Sequence, residues 1–201
     1  NEGSFGEVSE RVKDSVSKIF ISSQHLINLI EDFLNITRIE LGKMEYKMEK
    51  VDLGVMAKDI IDALMPNANV KNLELTYDSD RNGPYNTSVD YEKIRQVLLN
   101  LIDNAIKYTP SGFVRVNLSK NKGKILLAVS DSGLGISPEL KDRLFEKFSR
   151  GNEVSKVHVN GTGLGLFVAK EMMKAHGGDI RVESGGEGKG STFFVEFQAV
   201  S

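Results

Sequence analysis

Between Glu7 and Tyr46 the chain has no proline and a single glycine, Gly42. Apolar or small residues fall at Val12, Val16, Ile19, Ser23, Leu26, Ile30, Phe33 and Thr37. The steps alternate four and three, which is a heptad seam. A second row, Phe20, Ile27, Leu34 and Leu41, widens the stripe beyond a two-stranded seam. Four-helix bundles need a stripe of that width. A helix over this whole stretch runs ~60 Å at 1.5 Å per residue, too long for a compact domain to cover. Its apolar face is expected to meet another chain or a helix outside this sequence, the alternative being that it packs on its own domain.

His25 sits on this stretch, two positions after the seam residue Ser23, in the outward part of the heptad. Gln24 and Leu26 flank it, and the carboxylates Glu31 and Asp32 are nearly two turns away. A ring without an adjoining carboxylate is not set up as a base or nucleophile. His25 reads as a solvated surface histidine.

The remaining residues must build their own core. With 201 residues, 40% hydrophobic and 27% charged, the chain can form one good-sized domain and an appendage. A net charge of -2 offers no nucleic-acid surface. There is no cysteine, which excludes disulfides and thiolate chemistry and fits a reducing compartment. No apolar run approaches the ~18 residues a bilayer span needs. The opening "NEGSFGE" is polar, turn-like and without an initiator methionine, so a piece of a longer chain is expected. The division expected is 1–48 for the helical segment and 49–201 for a second domain.

In that second domain "KVDL" (50–53) reads as a short strand, and Gly54 to about Leu64 as a helix stopped near Pro66. "LELTYD" (73–78) alternates as a strand, and "RNGPYN" is a loop. Asp90 caps a helix running to about Tyr108. "FVRVNLS" and "KILLAVSD" form a hairpin over "KNKG". Pro138 starts a short helix, "GLGLFVAKEMMKAHGG" is a longer one, and "DIRVES" and "STFFVEFQA" are the last strands. The pattern predicts a mixed sheet with helices on one face.

Four segments carry chemistry that packing does not require. In "NLIDNAIKY", Asn100 and Asn104 are four apart and share a helical face, with Lys107 beside them. Amide oxygens and an ammonium there suit a hydrated Mg²⁺ and a phosphate chain, although an ordinary amphipathic helix gives the same pattern. In "DSGLGIS", Asp131 ends a strand, where a carboxylate can accept from an exocyclic amine such as adenine's. Gly133 and Gly135 then allow positive φ and close backbone approach to a ligand. "GTGLGLFVAK" opens a helix with free N–H groups, but it lacks the last glycine of a dinucleotide fingerprint and the Gly-Lys-Ser/Thr of a P-loop. In "LFEKFSRG", Phe145 and Phe148 are one helical turn apart and would anchor the start of the polar segment 149–160, with Arg150 near anything phosphorylated. A twelve-residue segment with few apolar residues, set between glycine-rich stretches, reads as a lid.

In this order "NLIDNAIKYTP", "DSGLGIS", "LFEKFSR" and "GTGLGL" resemble the N, G1, F and G2 boxes of the sensor histidine kinases of two-component systems. These kinases share an ATPase superfamily with DNA gyrase, heat-shock chaperones and mismatch-repair ATPases. "LIEDFLNITRIELGKMEYKMEKVDL" resembles the second helix of the kinase dimerisation domain and its link to the ATP-binding domain. The resemblance implies an α+β fold: a long dimerisation helix, then a two-layer sandwich of the Bergerat ATP-binding type. It implies ATP and Mg²⁺ as ligands, with Asn104 as the metal ligand and Asn100 beside it. Lys107 and Arg150 would touch phosphates, Tyr108 would line the adenine or ribose side, and Asp131 would accept from the adenine amine. Gly133 and Gly135 would shape that pocket, and Thr192 would lie under the adenine. Residues 149–162 would form the lid. Gly161, Thr162, Gly163, Leu164, Gly165 and Leu166 would serve as its hinge and phosphate loop, with Phe148 at its start.

The same resemblance implies a homodimer through the N-terminal helix, a response-regulator receiver domain as partner, and a cytoplasmic location; many relatives are membrane-anchored elsewhere. The family's phosphoacceptor histidine lies on the first dimerisation helix. An acidic residue follows it directly, and a proline comes four residues later. His25 is followed by Leu26, so the acceptor is expected to be missing. "NEGSFGE" resembles the turn between the two dimerisation helices. His158 and His176 read as structural or solvated. Two other functions stay open: a nucleotide-binding regulatory module without phosphotransfer, and a gyrase-type hydrolase. The hydrolase needs a general-base glutamate one turn before Asn104, where Asn100 stands.

Overall fold

The computed structural model describes residues 9–80, 83–149 and 163–200. The chain divides into two compact units, Asn1–Lys43 and Met44–Ser201. This division precedes the expected one at 48/49 because Tyr46 and Lys47 already belong to the second unit. The Tyr46 ring packs on His176, and the Lys47 N–H donates to Asp90.

Helix α1 spans Glu10–Glu40, 31 residues and ~46 Å long. It stops short of Tyr46 because Gly42 adopts φ 62°, and the Gly42 and Lys43 N–H groups fold back onto Ile39 and Arg38 carbonyls. Its expected start at Glu7, and "NEGSFGE" before it, lie outside the described residues. Val16, Ile19, Phe20, Leu26, Ile30 and Phe33 on this helix are exposed.

The second unit begins with β1 (Met48–Asp52), α2 (Leu53–Val70), β2 (Glu74–Ser79) and β3 (Asn86–Asp90). Helix α3 (Tyr91–Tyr108) leads to the hairpin β4 (Phe113–Asn121) and β5 (Lys124–Asp131). A short α4 (Pro138–Lys141), then α5 (Gly165–Ala175), β6 (Asp179–Glu183) and β7 (Ser191–Gln198), complete it. Five strands form one sheet in the order β2-β4-β5-β7-β6. Only β2 and β4 run parallel; the other pairs are antiparallel. Val116, Leu118, Ile125, Leu127, Val129, Val195 and Phe197 bury one face, over which α2, α3 and α5 pack. This is the expected α+β, mostly antiparallel architecture.

Two elements differ from expectation. Helix α2 continues through Pro66 to Val70. The proline removes one backbone bond, yet Leu64 and Ala68 on either side are buried, and that burial holds the next turn. Strand β3 pairs antiparallel with β1, although "NTSVD" carries one large apolar side chain, Val89. Its pairing is decided by β1, not by its own pattern. Among the described residues, no helix is long and apolar enough to cross a membrane.

Candidate functional site

Helix α3 is the platform. The Asp90 carboxylate caps it by accepting from Lys93 N–H over 3.1 Å. Ile94, Val97, Leu98, Leu101, Ile102, Ala105 and Ile106 bury its core face. Asn100, Asn104, Lys107 and Tyr108 remain half-buried on the other side. At its far end the Lys71 ammonium donates to the Ile106 and Lys107 carbonyls over 2.8 and 2.7 Å, satisfying carbonyls the helix leaves open. Burial pushes the Lys71 pKa down, with Asp103 opposing and Lys107 reinforcing the shift.

The two asparagines form a pair. Asn104 Nδ2 donates to Asn100 Oδ1 over 3.2 Å. That bond leaves the Asn104 amide oxygen without a protein donor among the described residues. The Asn100 Nδ2 is buried and unpartnered. A free amide oxygen is a suitable Mg²⁺ ligand when phosphate and water oxygens complete the shell. Among the described residues no group of three or more His, Cys, Asp or Glu is placed to hold a metal ion. Lys107 Nζ stands 5.1 Å from the Tyr108 ring centroid, placing the ammonium and the ring side by side.

Asp131 ends β5, opposite Ser191 on β7. Its Oδ2 accepts from Ser191 Oγ over 2.5 Å and its Oδ1 from Gly133 N–H over 2.8 Å. Burial raises its pKa, and the bonds from Ser191 and Gly133 only partly offset that. The following glycines meet protein backbone. A Cβ on Gly133 would lie 2.4 Å from the Tyr108 carbonyl oxygen. Gly135, at φ 68°, would place a Cβ 2.1 Å from the Gly186 carbonyl oxygen. The Gly188 and Gly190 N–H groups donate to Leu134 and Gly133 carbonyls, locking the β6–β7 turn onto this loop. At Gly133 and Gly135 the missing side chain lets two backbone segments pack closely.

The glycine loop lies against α3. A Cβ on Gly165 would stand 3.0 Å from Asn100 Oδ1. Gly163, at φ 71°, would carry a Cβ 2.9 Å from the Phe148 carbonyl carbon. Residues 148 and 163 thus lie side by side. Leu164 is buried and Leu166 half-buried. Arg150, Gly161, Thr162 and His158 lie outside the described residues.

Two expectations do not hold in the geometry. Phe148 is no anchor: it is 70% exposed, at φ 61°. Helix α4 ends at Lys141, so the helical spacing of Phe145 and Phe148 never forms. Thr192 lies on the opposite face of the sheet from Asp131, its Oγ1 3.0 Å from Ser130 Oγ. Ser191 is the hydroxyl at Asp131. The signal for it was present: Phe193, Val195 and Phe197 are the buried alternates of β7, and Ser191 continues that series.

A mixed sheet under three helices, with paired asparagines facing a glycine loop and a buried aspartate at a strand end, defines an ATPase domain of the histidine-kinase type. The chain belongs to the family described as "Histidine kinase-, DNA gyrase B-, and HSP90-like ATPase", whose sequence profile matches residues 89–201. It is 34% identical over 193 residues to the circadian input-output histidine kinase CikA of Synechococcus elongatus, covering 95% of this chain and 26% of that protein. It is 32% identical over 198 residues to the sensor histidine kinase AruS of Pseudomonas aeruginosa, covering 95% of this chain and 20% of that protein. The chain thus spans about a quarter or less of these relatives' length. Full-length ShkA in complex with AMPPNP superposes at TM-score 0.79 and 27% identity, over 97% of this chain and 41% of that one. The nucleotide-free catalytic domain of the histidine kinase ThkA superposes at TM-score 0.66 and 26% identity, over 79% of this chain and all of that one.

Proposed function

We propose that the Met44–Ser201 unit is the catalytic domain of a sensor histidine kinase. It binds ATP with Mg²⁺ and passes the γ-phosphoryl to a histidine on the dimerisation helices, for relay to a response-regulator aspartate. The observation that carries this reading is the Asn100–Asn104 pair set against Gly165 at the start of α5. Asn104 would hold Mg²⁺ through its amide oxygen, and the cation would neutralise charge on the phosphate oxygens. Lys107 and Arg150 add positive charge for the phosphates, Tyr108 supplies a ring beside the base, and Asp131 accepts from the adenine amine. Gly161, Thr162, Gly163, Leu164, Gly165 and Leu166 supply the phosphate-side backbone and hinge. Phosphoryl transfer depends on positioning and electrostatics, which such a set provides.

The acceptor is a histidine other than His25, whose next residue is Leu26. The exposed apolar face of α1 supports its assignment to the dimerisation domain and a homodimer as the working form. The second reading is a nucleotide-binding regulatory module without phosphotransfer. Asn104→Ala, in a chain extended by the upstream acceptor helix, separates the two. The kinase reading predicts loss of histidine phosphorylation and of signalling output. Unchanged output favours the module.

A further inference from the structure

A second buried cluster stands at the other end of α3 from the asparagine pair. His176, just after α5, is buried. Its Nε2 accepts from the Asp90 backbone N–H over 3.0 Å. Its Nδ1 lies 2.7 Å from the Met172 carbonyl oxygen. A carbonyl only accepts and an amide only donates, so the ring is the neutral tautomer with its proton on Nδ1. Tyr46 packs edge-on against it, with centroids 5.0 Å apart at 81°. The Asp90 carboxylate also takes the Lys47 N–H over 2.8 Å.

One imidazole therefore joins three pieces of chain: the connector before β1, the N-cap of α3 and the last turn of α5. Helices α3 and α5 run antiparallel, since Asp90 meets His176 at one end and Asn100 meets Gly165 at the other. Ten residues separate Asp90 from Asn100, ~15 Å of helix. α5 has 11 residues, nearly the same length. The pair is a frame pinned at both ends. A Cβ on Gly165 would already stand 3.0 Å from Asn100 Oδ1, so α5 passes α3 here with room for a glycine and little more, and a slide of one helix along the other changes that fit.

We propose that His176 is a positioning residue. It locks the connector 44–47 to the far ends of α3 and α5, and through that frame sets the Asn100–Gly165 contact. A displacement of the connector reaches the site along these two helices. The idea rests on reading that site as a nucleotide site.

Two substitutions in the full chain separate the ring's two bonds. His176→Asn keeps a donor near the Met172 carbonyl but is too short to reach the Asp90 N–H. His176→Gln carries an acceptor to the Nε2 position. The first readout needs no nucleotide: ¹H–¹⁵N resonances of the Gly165 amide and the Asn100 side-chain amide. The second is calorimetric affinity for AMPPNP with Mg²⁺. His176→Asn should shift both resonances and weaken AMPPNP about tenfold, the upper range for one buried hydrogen bond. His176→Gln should restore both readouts. Tyr46→Ala should shift the same resonances by less, and it carries the test if His176→Asn does not fold. A lowered melting temperature with unmoved resonances and affinity overturns the proposal. If the unmodified chain does not bind AMPPNP, the nucleotide reading fails, while the resonances still decide the coupling.

Discussion

Ser191 Oγ donates to Asp131 Oδ2 over 2.5 Å, across the β5–β7 pair. With the Gly133 N–H on the other oxygen, the carboxylate is held from two sides before any base arrives. Its remaining lone pairs are the ones an exocyclic amine could use. Asp131→Asn should keep the fold, because the amide oxygen can take the Gly133 N–H and the Ser191 hydroxyl can turn to accept from the amide nitrogen. Affinity for ATP should fall at least about tenfold, since the adenine amine then meets a donor. Ser191→Ala should have a smaller effect of the same sign, and Thr192→Ala none. Competition between ATP and GTP against a fluorescent nucleotide reads all three.

Asp90 and Asp131 should give opposite pH signatures. Burial acts upward on the Asp90 carboxyl, but the N–H groups of Lys47 and Lys93, with the Lys93 ammonium, hold it below its usual value. Its stabilising contribution is complete above the unfolded carboxylate pKa, about 3.9, and is lost as pH falls through the lower folded value. Asp131 titrates above its usual value, so its ionisation costs stability as pH rises from about 3.9. Asp90→Asn should therefore lose stability relative to the unmodified chain near neutrality and converge with it in acid. Asp131→Asn should gain relative stability as pH rises. Urea midpoints between pH 3 and 7 measure both.

Gly135 and Gly123 make a controlled pair. Both adopt positive φ, but a Cβ on Gly135 would lie 2.1 Å from the Gly186 carbonyl oxygen, while Gly123 has open space. Gly123→Ala should cost about 1 kcal/mol, the backbone strain alone. Gly135→Ala should cost more than about 3 kcal/mol, because two backbone segments must separate. Chemical denaturation followed by far-UV circular dichroism distinguishes them.

The exposed face of α1 should drive self-association. Ile19→Glu with Phe33→Glu should turn a dimer into a monomer in sedimentation velocity, with the nucleotide affinity of the other unit unchanged. A chain that is monomeric at high concentration before substitution counts against the homodimer.

Much of this was legible in residue order. Asp90 as a cap, the α3 face and the β4–β5 hairpin follow from local rules, and the glycine segments carried the family resemblance. What failed depends on partners distant in sequence. β3 is a strand because β1 lies beside it. α2 crosses Pro66 because Leu64 and Ala68 are buried around it. Two adjacent hydroxyls, Ser191 and Thr192, look alike in sequence, and sheet register selects the first. Likewise Phe148 appears as half of an aromatic pair, but the helix that would pair it with Phe145 is not there.

The most direct test of the central claim is a calorimetric titration of the full chain with AMPPNP, with and without Mg²⁺, beside Asn104→Ala. The account predicts one site per chain, tighter binding with Mg²⁺, and loss of that Mg²⁺ dependence in the variant. No binding, or an Mg²⁺ response that survives in Asn104→Ala, would contradict it.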